Sequence, residues 1–394
     1  MALSIAHLSF SSTGGAGTVA SRLAEYQRTQ GHDAWVHSLI PDSLWANPWQ
    51  RPVHTLAAAV DHYVVKHPSF PASISLLRDR IETALPDRVR EADVVHIHWP
   101  NGLVRLDTLG QLASSARVVW TLHDMNPFTA ACHYAVDCRC YLPGDNPCQG
   151  VRRPFRRWAT AQLQQKARFA SRHSDVLFAS PSAWLAGEAH ASVALGERHI
   201  PVIPNPLPAS LPGAIDAPAW VGRASLGDGV IFVTSASQLS DPLKNIQGVI
   251  DAFEDAFDPQ HAARLLVVGG GEAKSTHPGV LFLGRLPQEE LWSVLAVADY
   301  MVVGSIAENQ PLAVSEAQAM GAALLARNNT GLPEHLDIDA DGDVFDSMSQ
   351  LTDLLGQKGN RKRTAKSRAT LATKARKKFD PATAAASYER LYRS

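Results

Sequence analysis

The 394-residue sequence lacks a long apolar run, and its longest candidate, Leu291 to Ile306, is interrupted by Asp299. A helix that spans a membrane needs about 20 consecutive apolar residues, so none is expected. The amino terminus also lacks the positive segment of a secretory signal, because its first arginine is Arg22. These absences predict a cytoplasmic protein.

An excess of charge of either sign is also missing, since 37 Lys and Arg residues balance 38 Asp and Glu residues. A neutral chain has no overall field that would draw it to nucleic acid, and no nucleic-acid partner is expected. Two local segments are basic: Arg152–Trp158 interleaves cations with aromatic rings, and Lys358–Lys378 holds ten Lys or Arg residues and no acid. Each is either an exposed helix face or a patch that attaches the protein peripherally to the inner face of an anionic membrane.

Cysteine is scarce, and the four cysteines that are present, Cys132, Cys138, Cys140 and Cys148, fall within one short window. So local a group cannot form the disulfide framework of a whole domain. Its spacing also lacks the CxxC pair of most zinc sites. Three interpretations remain open: a zinc site to which His133 could contribute, a disulfide, or free thiols that shape an acceptor-binding loop.

Short apolar runs alternate with helical patterns along the chain. A first series includes LSIAHLSF, ADVVHIHW and ARVVWTL, and a second includes GVIFVTSAS, ARLLVVGGG and ADYMVVGS. Strands that alternate with helices predict parallel sheets. A proline-dense stretch from Pro201 to Pro218 separates the two series and is typical of a linker. We therefore predict an α/β protein with two Rossmann-like domains, residues 1–203 and 204–378, and a carboxyl-terminal helix within residues 379–394.

Glycines crowd the turn after the first predicted strand, at Gly14, Gly15 and Gly17, with Ala16 between them. Because a helix follows, backbone N–H groups at this turn could receive an anion. The motif is not the GxGxxG dinucleotide fingerprint. Contact with a phosphate or substrate and a tight turn required by sterics alone both remain open.

Histidines end two further predicted strands, in the runs His96–Trp99 and Thr121–Asp124. The carboxyl ends of parallel strands form the ligand-binding edge of an open α/β sheet. A histidine such as His123 that adjoins an aspartate can be held in one tautomer, which suits acid–base work or a hydrogen bond to a sugar hydroxyl. A histidine packed in the core is the other interpretation. A hydrolase triad has little support, because the chain lacks a GxSxG motif.

Two glutamates, Glu308 and Glu316, stand on either side of a predicted strand-to-helix turn. We expect the first on the loop and the second within the helix, with both directed at one cleft. On its own, such a pair is more often a charged helix face than a catalytic pair. The surrounding sequence favours a functional site.

The run GSIAENQPLAVSEAQAMG, followed by GLPE at Gly331–Glu334, resembles the donor-sugar motif of the family 4 retaining glycosyltransferases of GT-B fold. The motifs GGAG, TLHD, VIPNPL, LLVVGGG and FLGR also match that family, so the resemblance covers nearly the whole chain. It implies a group 1 glycosyltransferase of bacterial polysaccharide assembly. It further implies two domains that face each other across a cleft, the first binding the acceptor and the second the nucleotide sugar, with a last helix that crosses back onto the first.

The resemblance also implies roles for individual residues. Lys244 would neutralise the diphosphate, His123 would contact the donor sugar near the reacting carbon, and Glu308 would hold that sugar; these three are the expected catalytic residues. Glu316 would hold the ribose hydroxyls, and the backbone around Arg285 would receive the base. The other expected contacts are Gly15, Ala16, Gly17, Asn309, Gln310, Pro311 and Leu312 with the donor, and His98, Trp99 and Asp124 with the acceptor.

Two stretches depart from the family pattern. The family has a Gly-Arg pair before its lysine, whereas this chain has Ser235–Gln238 there, so half of the cationic clamp on the diphosphate is missing. Arg285 or another cation would have to replace it. Asn309 and Gln310 stand where the family has an aromatic residue or Phe-Gly, which leaves the identity of the donor sugar open.

The expected reaction moves a sugar from a nucleotide sugar, UDP-linked or else GDP-linked, to a hydroxyl of a glycan or lipid-linked acceptor with retention of configuration. The nucleotide sugar is a co-substrate. Neither a cofactor nor a metal ion is expected, because Lys244 can carry the charge of the leaving group. The resemblance also implies that the leaving phosphate oxygen takes the acceptor proton, so that no separate carboxylate base is needed. Three alternatives stay open: a small-molecule natural-product acceptor, a nucleotide-sugar 2-epimerase, and a nucleotide- or glycan-binding protein without activity.

Overall fold

The computed structural model describes residues 1–40, 51–144, 146–213 and 226–394. The chain divides into two compact units, one of Met1–Ala209 with Pro381–Ser394 and one of Ser210–Asp380. Residues 214–218 of the predicted proline linker lie outside the described ranges. No helix among the described residues has the length and hydrophobicity that a bilayer crossing requires.

The first unit is built on a five-stranded parallel sheet in the order β2-β1-β3-β4-β5. Its strands are β1 Ser4–Ser11, β2 Asp33–Ile40, β3 Val94–Trp99, β4 Arg117–Thr121 and β5 Leu177–Ala179. Its helices are α1 Gly14–Thr29, α2 Arg51–Val60, α3 Asp87–Arg90, α4 Leu106–Ala113, α5 Arg156–Arg172 and α6 Ala183–Ala191. Short helical turns lie at Asp61–Val65, Arg78–Arg80, Asn126–Phe128 and Arg153–Phe155.

The second unit is built on a six-stranded parallel sheet in the order β11-β10-β9-β6-β7-β8. Its strands are β6 Ile231–Gln238, β7 Arg264–Gly270, β8 Val280–Gly284, β9 Tyr300–Val303, β10 Ala323–Arg327 and β11 Asp343–Phe345. Its helices are α7 Ile246–Ala256, α8 Gln288–Val297, α9 Leu312–Ala319, α10 Met348–Lys358 and α11 Ala365–Lys378, with a 3-10 turn at Leu332–Ile338. The core packs Phe232 and Tyr300 of the sheet with Phe253 of α7 and Leu355 of α10.

A last helix, α12 (Pro381–Arg393), belongs to the first unit. Its buried Tyr388 and Tyr392 form hydrogen bonds with Thr121 of β4 and His96 of β3, at 2.9 Å and 2.8 Å. These contacts confirm the predicted packing of the carboxyl-terminal helix. The strands are mostly buried, as expected for parallel sheets covered on both faces, and the two sheets confirm the predicted α/β class.

In each sheet there is one point at which the strand order reverses. In the first unit this switch point lies between β1 and β3, and in the second it lies between β6 and β9. Open α/β sheets bind their ligands at the carboxyl ends of the strands beside such a point. The loops after β1, β3, β6 and β9 are therefore the places to look for a functional site.

Candidate functional site

Lys244 and Glu308 meet beside the switch point of the second sheet. Lys244 lies on the loop after β6, Glu308 lies on the loop after β9, and the Lys244 ammonium donates a hydrogen bond to Oε1 of Glu308. Glu308 is buried, whereas the Lys244 side chain is 30% exposed. Burial opposes the charged form of Lys244, but Glu308 and Asp241 outweigh it and raise the pKa of Lys244 above its usual value. The pair therefore holds a fixed cation at this edge.

The loop that carries Glu308 is fixed by the segment Asn329–Gly331. The Glu308 N–H donates to Oγ1 of Thr330, and the Gly331 N–H donates to the carbonyl of Glu308, both at 2.9 Å. A Cβ at Gly331 would lie 2.0 Å from the carbonyl oxygen of Asn309, so the close contact of the two loops requires glycine here. Towards α9 the same loop continues through the buried Asn309 and the half-buried Gln310, Pro311 and Leu312.

Glu316 lies on α9 and is buried, with 3% of its surface exposed. Its Oε2 atom accepts hydrogen bonds from the indole of Trp292 at 2.9 Å and from the amide of Gln288 at 2.8 Å. Two side chains of α8 thus fix the orientation of this carboxylate. The residue at the start of α9, Pro311, forms no side-chain capping hydrogen bond, and the N–H groups of a first helical turn are suited to an anion. Our sequence reasoning missed Gln288 and Trp292.

Arg285 follows β8, and its exposed side chain lies against the backbone at the end of β7. A Cβ at Gly270 would be 2.2 Å from Nε of Arg285. Gly270 is the sheet partner of Gln238, which belongs to the stretch that replaces the Gly-Arg pair of the family. The Arg285 guanidinium therefore lies beside the place where half of the expected clamp is missing.

The glycine turn begins α1 beside the switch point of the first sheet. Gly14 has a φ of 78°, and a Cβ at Gly17 would lie 2.2 Å from the carbonyl oxygen of Ser11. The backbone thus requires both glycines. Gly15 is different, because it is exposed and a Cβ there would meet no atom within 4 Å. Ala16 beside it is half-buried.

A row of hydrogen-bonded side chains leads from α1 to His123, and we name these four residues the histidine relay. Gln27 Oε1 lies 2.7 Å from Nε2 of His7, whose Nδ1 lies 3.0 Å from Nε2 of His98. His98 Nδ1 lies 2.9 Å from Nε2 of His123. His98 is buried with both ring nitrogens engaged, so its hydrogen bond orients His123.

The two hydrogen bonds of the Gln27 amide determine which ring nitrogen of each histidine in the histidine relay carries the proton. Its amide nitrogen donates to the hydroxyl of Tyr392 at 3.2 Å, so its oxygen accepts from His7. His7 and His98 must then each accept at Nδ1, which leaves His123 with its proton on Nε2 and with Nδ1 as its accepting nitrogen. Burial lowers the pKa of His7 and of His123 to about 4. The relay is therefore neutral at pH 7.

His7, His96 and His98 bring ring nitrogens within 4.8 Å of one another, a spacing that a metal ion could bridge. Hydrogen bonds account for that spacing. His96 reaches Tyr392 through Nδ1 and Thr121 through Nε2, each at 2.8 Å, and both nitrogens of His7 and His98 are engaged in the histidine relay. We therefore interpret these histidines as one polar network.

Asp124 follows His123, and its carboxylate binds the next loop. Its Oδ2 lies 2.5 Å from Nδ1 of His133, and its Oδ1 accepts from the N–H of Asn126 at 2.8 Å. His133 also binds the hydroxyl of Ser75 at 2.8 Å. Asp124 thus orders the loop after β4, while His98 orients His123.

Trp99 ends β3 and packs among aromatic and cationic groups. The rings of Phe10 and His133 approach it edge-on at centroid distances of 6.2 Å and 5.6 Å. The guanidinium of Arg78 lies 5.6 Å from the Trp99 ring centroid. Our sequence reasoning missed Arg78, because it comes from a helical turn with no motif of its own.

Two family models match the chain in sequence. The model described as Glycosyltransferase Family 4 matches residues 13–211, just over half of the chain, and the model described as Glycosyl transferases group 1 matches residues 229–355. No curated protein matches the sequence.

Solved structures of glycosyltransferases share the fold along the whole chain. Anabaena HepE in complex with UDP and glucose matches with a TM-score of 0.62 and 16% identity, covering 100% of both chains. Sucrose-phosphate synthase from Thermosynechococcus elongatus matches with a TM-score of 0.64 and 18% identity, covering 99% of this chain and 98% of that chain. WaaG, involved in lipopolysaccharide biosynthesis, matches with a TM-score of 0.59 and 13% identity, covering 97% of this chain and 98% of that chain. These matches confirm the predicted GT-B fold.

Proposed function

Because this chain belongs to glycosyltransferase family 4, we propose that it moves a sugar from a nucleoside diphosphate sugar to a hydroxyl of a glycan or lipid-linked glycan, with retention of configuration. The family membership confirms our prediction from sequence, and the chain is a nucleotide-sugar-dependent glycosyltransferase. We also propose the stereochemistry, the donor, the acceptor and the roles of individual residues.

The observation that carries the proposal is the contact of Lys244 with Glu308 beside the switch point of the second sheet. When the bond between the sugar and the diphosphate breaks, negative charge grows on the leaving phosphate. Lys244 stabilises that charge, with Arg285 as a second cation in place of the missing family arginine. When the diphosphate binds the Lys244 ammonium, the hydrogen bond from Lys244 to Glu308 is lost. The Glu308 carboxylate can then accept a hydrogen bond from the donor sugar.

The reaction then needs no separate carboxylate base. The bond from C1 of the sugar to the phosphate oxygen breaks, the acceptor oxygen bonds to C1 on the same face, and the acceptor proton passes to the leaving phosphate oxygen. His123 is neutral and accepts a hydrogen bond from a sugar hydroxyl at Nδ1. No metal ion or cofactor takes part in this proposed step.

The remaining donor contacts lie farther from the breaking bond. The carboxylate of Glu316, held by α8, binds the ribose hydroxyls, and the backbone around Arg285 receives the base. Gly15, Ala16 and Gly17 lie over the diphosphate and sugar, and the exposed, unhindered backbone at Gly15 supports this role. Asn309 to Leu312 hold the sugar and phosphates at the start of α9.

We favour a UDP-linked donor and an acceptor from polysaccharide assembly. HepE was solved with UDP-glucose, and WaaG acts in lipopolysaccharide biosynthesis. Both proteins are similar to this chain in fold, so they support the choice of candidates to test first. Trp99 and Asp124 stay our proposed acceptor contacts, and the acceptor role expected for His98 stays a prediction.

A cytoplasmic enzyme with such an acceptor would work at the inner face of the membrane, and exposed apolar residues of the first unit support this location. Leu56, Tyr63 and Trp158 are 65%, 72% and 52% exposed. The guanidinium of Arg152 donates to the backbone carbonyl of Tyr63 at 3.0 Å, so one cation lies beside one of these exposed apolar residues. Such a surface favours anionic lipid.

A panel of UDP-, GDP- and ADP-sugars tests the proposal, first by thermal shift and then by analysis of products with and without acceptor glycans. We expect one nucleoside diphosphate sugar to raise the melting temperature and to release its nucleoside diphosphate only when an acceptor is present. A changed sugar without acceptor would show an epimerase. A thermal shift without turnover on any acceptor would contradict the proposed transfer.

A further inference from the structure

The four cysteines lie together beneath the surface of the first unit. Their exposed fractions are 0% for Cys132, 1% for Cys138, 6% for Cys140 and 1% for Cys148, and all four are unbridged. The sulfur atoms of Cys132, Cys138 and Cys148 lie within 4.8 Å of one another, and those of Cys132 and Cys148 are 3.6 Å apart. The fold therefore gathers residues that are up to 16 positions apart in sequence.

Cys140 is the fourth buried cysteine of this segment. It lies two positions after Cys138, and 6% of its surface is exposed. Three sulfur atoms that lie within 4.8 Å of one another and a fourth buried cysteine beside them could together supply four ligands to one metal ion.

The separation of the Cys132 and Cys148 sulfur atoms is typical of a zinc site. Zinc binds four thiolates tetrahedrally with Zn–S distances of about 2.3 Å, which puts neighbouring sulfur atoms about 3.8 Å apart. The separation of 3.6 Å between Cys132 and Cys148 is close to that value. A disulfide would require about 2.05 Å, and a cluster of four buried thiols satisfies their hydrogen bonds poorly because the S–H group is a weak donor and acceptor.

We propose that Cys132, Cys138, Cys140 and Cys148 bind one Zn²⁺ ion in a closed structural site. Two features of the surrounding backbone fit this role. The N–H of Gln149 donates to Sγ of Cys138 at 3.2 Å, a contact that stabilises a thiolate. A Cβ at Gly150 would lie 2.5 Å from Sγ of Cys132, so the chain closes directly over the sulfur atoms.

His133 was the other candidate ligand, and the structure assigns it elsewhere. Its Nδ1 lies 2.5 Å from Asp124, and its Nε2 lies 2.8 Å from Ser75. Both ring nitrogens are thus engaged, and four sulfur atoms already fill a tetrahedral site. The zinc site therefore has four cysteine ligands and no open position for substrate or water.

The position of the site indicates what the metal does. Between the short helical turns at Asn126–Phe128 and Arg153–Phe155, the described residues form no helix or strand, apart from isolated bridges that pair Cys132 with Ile74 and Val151 with Lys66. Regular secondary structure therefore does not hold this part of the loop in place. A zinc ion would anchor it and thereby keep His133 against Asp124, at the sheet edge that carries His123.

Metal analysis of the full chain tests this proposal without any donor or acceptor, so its result does not depend on the proposed function. We expect protein expressed with zinc and purified under reducing conditions to hold about one zinc per chain. Titration with a mercurial should release that zinc in step with four thiols. Cobalt exchanged into the site should show the visible bands of tetrahedral thiolate coordination.

Variants identify the ligands. Cys138→Ser should lose the zinc and lower the melting temperature, whereas the control His133→Gln should retain one zinc. If Cys138→Ser does not fold, the metal content and the cobalt spectrum of the unaltered chain still test the proposed zinc site. Protein without metal whose thiols titrate freely, disulfides found by mass spectrometry, or bound iron with sulfide would each overturn the proposal.

Discussion

The ammonium group of Lys244 donates a hydrogen bond to the buried carboxylate of Glu308, across two loops that follow neighbouring strands of the second sheet. The two residues are 64 positions apart, so the contact exists because the strand order places β6 beside β9. The pair holds a cation in position before any substrate binds. Pre-positioned charge of this kind lowers a reaction barrier without reorganisation during the reaction.

Lys244→Ala should lower kcat by about 10²- to 10³-fold, as expected for loss of one strong electrostatic stabiliser. His123→Ala should also lower kcat more than it raises the donor KM. Steady-state kinetics with varied donor at saturating acceptor measures both. Lys274→Ala, which removes an exposed lysine of the same unit, is the matched control and should leave both constants unchanged.

Lys244→Ala also leaves the Glu308 carboxylate buried without its cation, which alone could disturb the site. The double variant Lys244→Ala with Glu308→Gln removes that unpaired charge. We expect it to melt higher than the single variant but not to recover kcat. Recovery of kcat to near the original value would show that Lys244 serves only to pair Glu308.

Glu316→Gln should mainly raise the donor KM and change kcat little, because a ribose contact is shared by the ground state and the transition state. Steady-state kinetics with varied donor at saturating acceptor measures both constants. The control is Glu289→Gln, which changes an exposed glutamate of α8. A large loss of kcat at unchanged KM would place Glu316 at the reacting centre instead.

Gly15→Ala and Gly17→Ala should separate a ligand role from a steric one. Gly17→Ala places Cβ 2.2 Å from the Ser11 carbonyl oxygen and should lower the free energy of unfolding by about 1–3 kcal/mol. Gly15→Ala meets no atom, so it should melt like the original protein while weakening donor binding. Unchanged donor kinetics in Gly15→Ala would remove Gly15 from the site.

The first unit should lose stability as the pH falls from 6.5 towards 4. Burial lowers the pKa of six of its histidines, namely His7, His37, His54, His96, His98 and His123. In the unfolded chain a histidine takes up a proton below its ordinary pKa of about 6.5. In the folded protein His7 takes up a proton only near pH 4. Between these two pH values the unfolded chain therefore binds more protons, and unfolding is favoured. His7 alone should remove about 2 kcal/mol between pH 7 and pH 5.

Urea unfolding at pH 7 and pH 5, followed by tryptophan fluorescence, measures this effect. Seven of the nine tryptophans lie in residues 1–209, so the signal reports mainly on the first unit. The second unit has one such histidine among the described residues, His335, whose pKa burial lowers to about 3, and it should respond less. Equal stability of the first unit at both pH values would contradict the assignment of neutral buried histidines.

The alternation of apolar runs and helical patterns predicted both sheets, because parallel strands buried on two faces are apolar along their whole length. Glu308 and Glu316 could also be found from sequence, since they belong to one continuous motif. The side chains that contact these two glutamates could not be found from the sequence. Trp292 holds Glu316 from another helix, and Lys244 reaches Glu308 only through the strand order.

In the first unit, too, the contacts between side chains could not be predicted from the sequence. His123 adjoins Asp124 in sequence, yet the carboxylate binds His133 and the nearer support of His123 is His98 from the next strand. The cysteines lack the spacing of a familiar zinc motif, although the folded loop brings their sulfur atoms together. Side-chain partners depend on register and loop path, which a linear pattern does not contain.

The configuration of the transferred sugar decides whether this chain is a retaining glycosyltransferase. The donor that the thermal-shift panel selects would be labelled with ¹³C at C1 and incubated with the enzyme and an acceptor, and NMR would follow the anomeric signal of the product. We expect a new glycosidic bond with the anomeric configuration of the donor, formed together with nucleoside diphosphate. A product of inverted configuration would contradict the proposed retention.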